Sequence, residues 1–313
     1  MGNPALSVII ATRDRPEDLS RCLEALALQT LNDELDVVVV DDGSIGDLQT
    51  IVHDYATSGL SVRYVRQEGT GAAKARDHGT STATADLLAY LDDDAVPEPE
   101  WAEAIVSAFR DWGCDALAGR IRLRLLGPAP DWLHGRDWRA LGELDLGPWP
   151  LWLYGREVPY SGNCAVTRSY FELVGGFSAA ATSRVGHTLS VGEDIWFFEQ
   201  VKHLGGSTAY APEVCIEHVV NPRRLTEDWF IQRAIAQGAG TALLRLGRDI
   251  SHARQVMLLL REVSRLLLRL PAELARDTFF RRGTIGTRLF LAYERGALFA
   301  LLRRHAPSAR ESL

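Results

Sequence analysis

The stretch Leu87-Leu88-Ala89-Tyr90-Leu91-Asp92-Asp93-Asp94-Ala95-Val96-Pro97 decides the fold. An apolar run of strand length ends in three carboxylates, and Pro97 and Pro99 then stop the strand pattern. In an open parallel sheet, ligands bind beyond the carboxyl ends of the strands, so these acids are expected to be exposed at a ligand crevice. Three adjacent carboxylates repel one another and raise each other's pKa values unless a cation neutralises them. Asp92 and Asp94 can offer oxygen ligands to Mg²⁺ or Mn²⁺, hard ions that also take diphosphate oxygens. An isolated Asp-x-Asp is as readily a solvated acidic turn, so the flanking sequence has to decide.

Upstream, residues 6–11 (Leu-Ser-Val-Ile-Ile-Ala) read as a buried strand leading into Thr12-Arg13-Asp14-Arg15-Pro16. Asp14 can cap a helix with Pro16 in its first turn and Leu19, Leu23 and Leu26 on one face. The Val run at 37–40 predicts a second strand covered on both faces, ending in Asp41-Asp42-Gly43-Ser44. A helix over 47–55, a strand over 62–65 and a small-residue helix within 69–85 follow, the last bearing Lys74 and Arg76. Trp101, Ile105, Phe109 and Trp112 repeat at helical spacing before Gly113. Strand and helix thus alternate over the first 120 residues, as in a wound parallel sheet.

Periodicity fades over 127–160, where four of the eight Trp fall among prolines. This is either a wall over a ligand or a satellite hydrophobic cluster. A small-residue strand spans 161–166, including Gly162 and Asn163, and Pro271 further on breaks a long helix. The small, polar segment 178–191 reads as a mobile loop. Gly192-Glu193-Asp194 opens a helix over 195–204, where acids are also stabilised simply by the helix dipole. A strand over 208–216 ends at Glu217-His218, and a lone His there is more often hydrogen-bonded than metal-ligating.

With 313 residues and a net charge of −7, the chain can bury a full core and is not a general nucleic-acid binder. The charge is uneven. Residues 251–313 hold twelve Arg and five acids, which leaves 22 basic and 36 acidic residues in the remainder. The four Cys form no C-x-x-C pair and read as reduced structural thiols. The N-terminus lacks the layout of a signal peptide, and Arg261, Arg265 and Arg269 interrupt the longest apolar region. A cytoplasmic protein is expected, with the inner face of a membrane as a peripheral location.

Together these segments resemble the family 2 glycosyltransferases of the GT-A fold, over about residues 5–245. The carriers are residues 7–15 (Ser-Val-Ile-Ile-Ala-Thr-Arg-Asp-Arg), Val39-Val40-Asp41-Asp42-Gly43-Ser44, residues 71–79 (Gly-Ala-Ala-Lys-Ala-Arg-Asp-His-Gly), Leu91-Asp92-Asp93-Asp94, Gly175-Gly176-Phe177 with Gly192-Glu193-Asp194, and His218 with Arg223. Ala11 stands where Pro is common, Asp77 where Asn is common, and Trp196 where an acid often follows. The resemblance implies a Rossmann-like, mostly parallel wound sheet with an acceptor-side subregion. Residues 1–120 would hold the nucleotide sugar and 121–245 the acceptor, with a helical region over 246–313. It implies an inverting transfer from a nucleoside-diphosphate sugar, UDP- or dTDP-linked, to a hydroxyl on a glycan, lipid-linked or small-molecule acceptor.

The implied donor-binding residues are Ala11, Thr12, Arg13, Arg15, Asp42, Gly43, Lys74, Arg76, Asp92 and Asp93, with Arg223 at the diphosphate. Asp92, Asp94 and His218 would hold Mg²⁺ or Mn²⁺. Gly162, Asn163 and Trp196 lie on the acceptor side, and Asp194, with Glu193 beside it, is the implied base. The chemistry suits these residue types: a cation stabilises a departing diphosphate, and a carboxylate takes the proton of a weakly nucleophilic hydroxyl. A catalytically silent sugar-nucleotide-binding protein is the alternative. A nucleotidyltransferase is a third reading, but residues 11–16 contain no Gly for a phosphate loop.

Beyond the resemblance, residues 256–268 and 279–302 are apolar with interleaved Arg. A cap on the catalytic domain, a homodimer surface and a helix on an anionic membrane are the three readings, the first two ranked ahead.

Overall fold

The computed structural model describes residues 4–155, 157–177, 192–246, 252–279 and 285–303. The loop expected over 178–191 lies outside them. The chain forms two compact units. The first comprises Met1–Leu126, Leu141–Ala179 and Glu193–Asn221; the second comprises Gly127–Ala140, Ala180–Gly192 and Pro222–Leu313.

The first unit is built on one sheet. Its parallel part joins β1 (Leu6–Thr12), β2 (Leu35–Asp41), β3 (Val62–Arg66) and β4 (Leu87–Asp92) in the order β3-β2-β1-β4. The chain moves from β1 outward to β3 and then returns to the other side of β1. The crevice where strand order reverses therefore opens between the C-terminal ends of β1 and β4. There Ala11 pairs with Asp92, and Thr12 pairs with Asp41 across β2.

The Val run explains the two-sided burial. Val37 and Val39 pack with Val8, Ile10, Leu19 and Leu23 in one core, while Val38 and Val40 pack with Ile9, Ala73 and Phe197 in another. Side chains of a strand alternate between faces, so a continuous apolar strand needs cover on both. Helix α1 (Pro16–Ala27) supplies one cover through Leu19, Cys22, Leu23 and Leu26. Helices α2 (Gln49–Thr57), α3 (Ala72–Thr82) and α4 (Trp101–Trp112) complete the alternation, and α4 stops at Gly113 with φ 59°.

Several features depart from the sequence expectations. Asp14 does not cap α1; it adopts φ 55° and accepts a hydrogen bond from the Ile45 N–H at 2.7 Å, while its own N–H donates to Ser44 Oγ. Asp tolerates this left-handed conformation, which turns its carboxylate toward the loop after β2. Short β5 (Ala95–Pro97) and long β6 (Ala116–Leu125) add strands that the sequence reading did not include. The last predicted strand is β9 (Thr208–Val220), longer than expected, so His218 sits within it opposite Ala95 of β5. With β7 (Leu151–Trp152) and β8 (Asn163–Thr167), the sheet extends β4-β8-β6-β9-β5, and β7 adds to β9. Helices α5 (Arg168–Val174) and α6 (Glu193–His203) follow β8.

The second unit contains α7 (Glu227–Leu246), α8 (His252–Phe279) and α9 (Ile285–Arg303). Helix α8 runs through Pro271 rather than breaking there. Proline removes the bond to the carbonyl four residues earlier. That residue, Leu267, is 69% exposed and lies on the open side of the helix. No helix among the described residues is long and apolar enough to cross a membrane.

Candidate active site

The acids after β4 do not share one environment. Asp92 is half-buried, whereas Asp93 and Asp94 are each 4% exposed, not exposed as expected at a strand end. The turn after β1 closes over them. Thr12 Oγ1 donates to Asp93 Oδ2 at 2.8 Å, and Arg15 Nη1 donates to Asp93 Oδ1 at 2.8 Å and Asp94 Oδ2 at 3.1 Å. Burial pushes the Asp93 carboxyl upward, opposed by Arg15 and reinforced by Asp94. The same carboxylates hold the Arg15 guanidinium firmly charged, Asp93 most of all.

The other oxygen of Asp94 meets β9. His218 Nε2 lies 3.2 Å from Asp94 Oδ1, and the Val219 N–H donates to the Asp94 carbonyl at 2.8 Å. Gly142, at φ 95°, leaves room behind the imidazole: a Cβ there would sit 3.2 Å from His218 Nδ1. Asp94 and His218 thus offer an oxygen and a nitrogen side by side. Among the described residues, no group of three or more His, Cys, Asp or Glu is arranged to hold a metal ion. Asp92 pairs with Arg76.

Arg76 of α3, 6% exposed, links the two sides of the crevice. Its Nη2 donates to Asp92 Oδ1 at 3.1 Å and its Nη1 to Glu193 Oε1 at 3.3 Å, while the guanidinium lies 5.7 Å from the Phe177 ring centre. Burial works against its charge, but Asp92, Glu193 and Asp194 outweigh that cost. Glu193 is 7% exposed; burial, then the adjacent Asp194, pushes its carboxyl upward against the pull of Arg76. Its Oε2 has no hydrogen-bond partner. Asp194 opens α6 with Oδ1 accepting from the Ile195 N–H at 2.8 Å and Oδ2 from the Ser161 N–H at 3.4 Å.

Asp42 lies at the far end of the crevice, after β2. Its Oδ1 accepts from Gln67 Nε2 at 2.7 Å and the Thr70 N–H at 2.8 Å, and its Oδ2 from the Gly71 N–H at 2.9 Å. Gly43, at φ 81°, must be glycine for the loop to close, because a Cβ would meet the Gly69 nitrogen at 2.8 Å. Asp41 is structural. Burial opposes its ionised form, but hydrogen bonds from Ser44 and Tyr64 and the charge of Arg66 hold its carboxyl below the usual range.

The structure gathers these residues into two bonded groups that meet at the Asp92–Asp93 backbone: Thr12, Arg15, Asp93, Asp94 and His218 in one, and Arg76, Asp92 and Glu193 in the other. Ala11 is half-buried in β1 beside them, and Arg13 and Lys74 are exposed. Gly162 packs against Asp92, where a Cβ would meet Oδ2 at 2.7 Å. Asn163 differs from the acceptor-facing residue expected. Fully buried, it accepts from Trp101 Nε1 and donates to the Arg120 and Val214 carbonyls, an amide saturated by the sheet. Trp196 is half-buried on α6, and Arg223 lies on the 3-10 turn Pro222–Arg224 of the second unit.

Sequence reasoning missed Gln67, Ser161 and Gly142, and gave Phe177 only as part of the Gly175-Gly176-Phe177 resemblance. Gln67 follows β3 as Asp42 follows β2, so the strand-end rule could have found it. Nothing local marks Ser161 or Gly142.

A sheet wound about a switch point, with acids and arginines collected at its strand ends, defines a glycosyltransferase of the GT-A fold. Residues 7–172, more than half of the chain, match the model of glycosyl transferase family 2, and the chain belongs to that family. A glucosyl-dolichyl phosphate glucuronosyltransferase of Haloferax volcanii is 25% identical over 252 residues, 77% of each chain. A hyaluronan synthase of Pasteurella multocida is 39% identical over 104 residues, a third of this chain and 11% of that protein. Among solved structures, the mannosyltransferase PcManGT of Pyrobaculum calidifontis, in complex with GDP-Man and Mn²⁺, superposes with a TM-score of 0.63. It has 19% identity over 97% of this chain and 89% of the other.

Proposed function

We propose that this glycosyltransferase moves a sugar from a nucleoside-diphosphate sugar to an acceptor hydroxyl, with inversion at the anomeric carbon. Residues 1–120 take the donor and residues 121–245 the acceptor. The observation that carries the reading is the bridge made by Arg76. One buried guanidinium joins Asp92, at the end of a donor-half strand, to Glu193, beside the proposed base.

The paired oxygen and nitrogen of Asp94 and His218 suit a divalent ion of the Mn²⁺ or Mg²⁺ kind, with Asp92 as the third candidate ligand. The Mn²⁺ held by PcManGT supports that choice. When bound, the ion supplies Lewis-acid stabilisation of the departing diphosphate. Arg76 adds fixed positive charge on the same side, and Arg13 and Lys74 are exposed cations available to phosphate oxygens.

Asp42 retains an acceptor position on Oδ2, since a carboxylate oxygen accepts two hydrogen bonds and this one holds only that from Gly71. It can receive a ring N–H of the donor's base. Uracil and thymine offer one, and so does the guanine of the GDP-Man that PcManGT binds. On the acceptor side, Asp194 takes the proton of the attacking hydroxyl as the anomeric carbon–oxygen bond to the diphosphate breaks. Gly162 and Trp196 border that side.

The test is Asp194→Asn. Asn keeps the size and its one oxygen still accepts the 2.8 Å bond from the Ile195 N–H; only the long 3.4 Å contact from the Ser161 N–H is given up, so stability should change little. A base acts in the transition state, so kcat should fall by roughly 10²–10⁴ with donor affinity unchanged. Near-wild-type turnover in this variant would transfer the role to Glu193.

A further inference from the structure

Helix α8 is set in its unit with its polar side inward. Glu262, 1% exposed, accepts from Arg245 Nη1 at 2.8 Å. Arg265 donates through Nε to Glu294 Oε1 at 2.8 Å and lies 4.9 Å from the Tyr293 ring centre. Gln255, 6% exposed, donates to the Leu301 carbonyl. With Leu258 these residues form the buried side of α8 and fix its rotation.

The opposite side is apolar and exposed. At about 100° per residue, Val256, Leu260, Val263 and Leu267 share a stripe roughly 60° wide, and Met257 and Leu268 adjoin it. Their exposures run from 40% at Val256 to 78% at Leu268. Arg254 and Arg261, both exposed, border this arc. Neither carboxylate of α8 whose side chain is described lies on the arc: Glu262 is buried, and Glu273 falls on the inward side. An ordinary surface helix of a soluble domain turns its apolar stripe inward. Here the buried ion pairs hold the stripe outward, where water solvates it poorly.

We propose that this face of α8 lies on an anionic lipid surface, its aliphatic side chains entering the acyl boundary and Arg254 and Arg261 meeting phosphate headgroups. The pattern is that of an in-plane interfacial helix: an aliphatic stripe, a cationic border, and no acid on the arc among the side chains described. The charge of the wider segment agrees, with twelve Arg against five acids over residues 251–313. A second copy fits less well, because face-to-face pairing would bring arginines together with no carboxylate between them.

The full chain is to be co-sedimented with vesicles of phosphatidylcholine containing phosphatidylglycerol, and with vesicles of phosphatidylcholine alone, at low and high salt. Binding is expected on the anionic vesicles, weakened by salt. The double variant Leu260→Ser/Leu267→Ser, altered only at exposed positions, should lose about tenfold or more in binding with an unchanged melting temperature. Arg261→Ser, a milder change, should reduce binding and flatten its salt dependence. Absence of binding at low salt, or equal binding by all three proteins, overturns the proposal. So does a lipid-free dimer that the double variant dissociates, since the occupant of the face would then be a second copy.

Discussion

Asp77 accepts a hydrogen bond from the Phe177 N–H at 2.7 Å. Burial pushes its carboxyl up to about 6, against that bond and the nearby Arg76. The folded value lies above the unfolded one, so the native state binds the proton more tightly. The contribution of Asp77 to stability is then greatest below about pH 4, falls as pH rises to about 6, and is flat above that. Asp77→Asn keeps an oxygen for the Phe177 N–H and removes the buried charge. The variant should be more stable than wild type at about pH 7.5, by on the order of 1–2 kcal/mol after allowing for partial solvation, and the gain should vanish near pH 4. Denaturant titrations at both pH values check this, and a gain independent of pH would refute it. The residues legible in the sequence were those whose chemistry is tied to a strand end, such as Asp42 and Asp92. Asn163 misled because a polar side chain near a site can serve the sheet, and its three partners lie 43 or more positions away.

At the scale of elements, the parallel strands and α1, α3 and α4 were legible because periodicity and apolar runs mark them. Strand β6 was also written in the sequence, as Arg120, Arg122 and Arg124 alternating with Ile121, Leu123 and Leu125, but it adjoins a stretch without pattern. Strand β5 is too short to announce itself; it exists because β9 pairs with it. In the second unit, close packing rests on glycine. A Cβ at Gly238 of α7 would lie 1.9 Å from the Tyr293 carbonyl oxygen, and one at Gly296 of α9 would lie 2.0 Å from that of Ile235. The two backbones touch with no side chain between them, so a methyl group cannot be absorbed by a rotamer change. Gly296→Ala should therefore cost about 2–4 kcal/mol and lower the melting temperature, although alanine favours helix. A melting temperature at or above wild type would mean that the helices separate freely.

For the whole molecule, the uneven charge and the order of strand-end acids were both readable, and they match a transferase fold with a basic C-terminal region. What composition could not give is how the acids divide their labour, because that depends on which arginine reaches which oxygen. Arg15 and His218 take the two oxygens of Asp94, whereas Arg76 takes Asp92. Ligand-linked stability tests that division. A ligand that binds only the folded chain stabilises it by about 2.7 kcal/mol at a hundredfold excess over its Kd, which for a chain of this size is roughly 5 °C. A nucleoside diphosphate with Mn²⁺ should raise the melting temperature more than the nucleotide alone, and the difference reports the ion. Asp94→Asn and His218→Ala should each remove most of that increment while keeping the smaller shift due to nucleotide. Asp92→Asn should act differently, because it also frees Arg76; both shifts should shrink. If Asp94→Asn keeps the full Mn²⁺ increment, the ion does not sit between β4 and β9, and the Asp94–His218 pair serves only to hold those strands together.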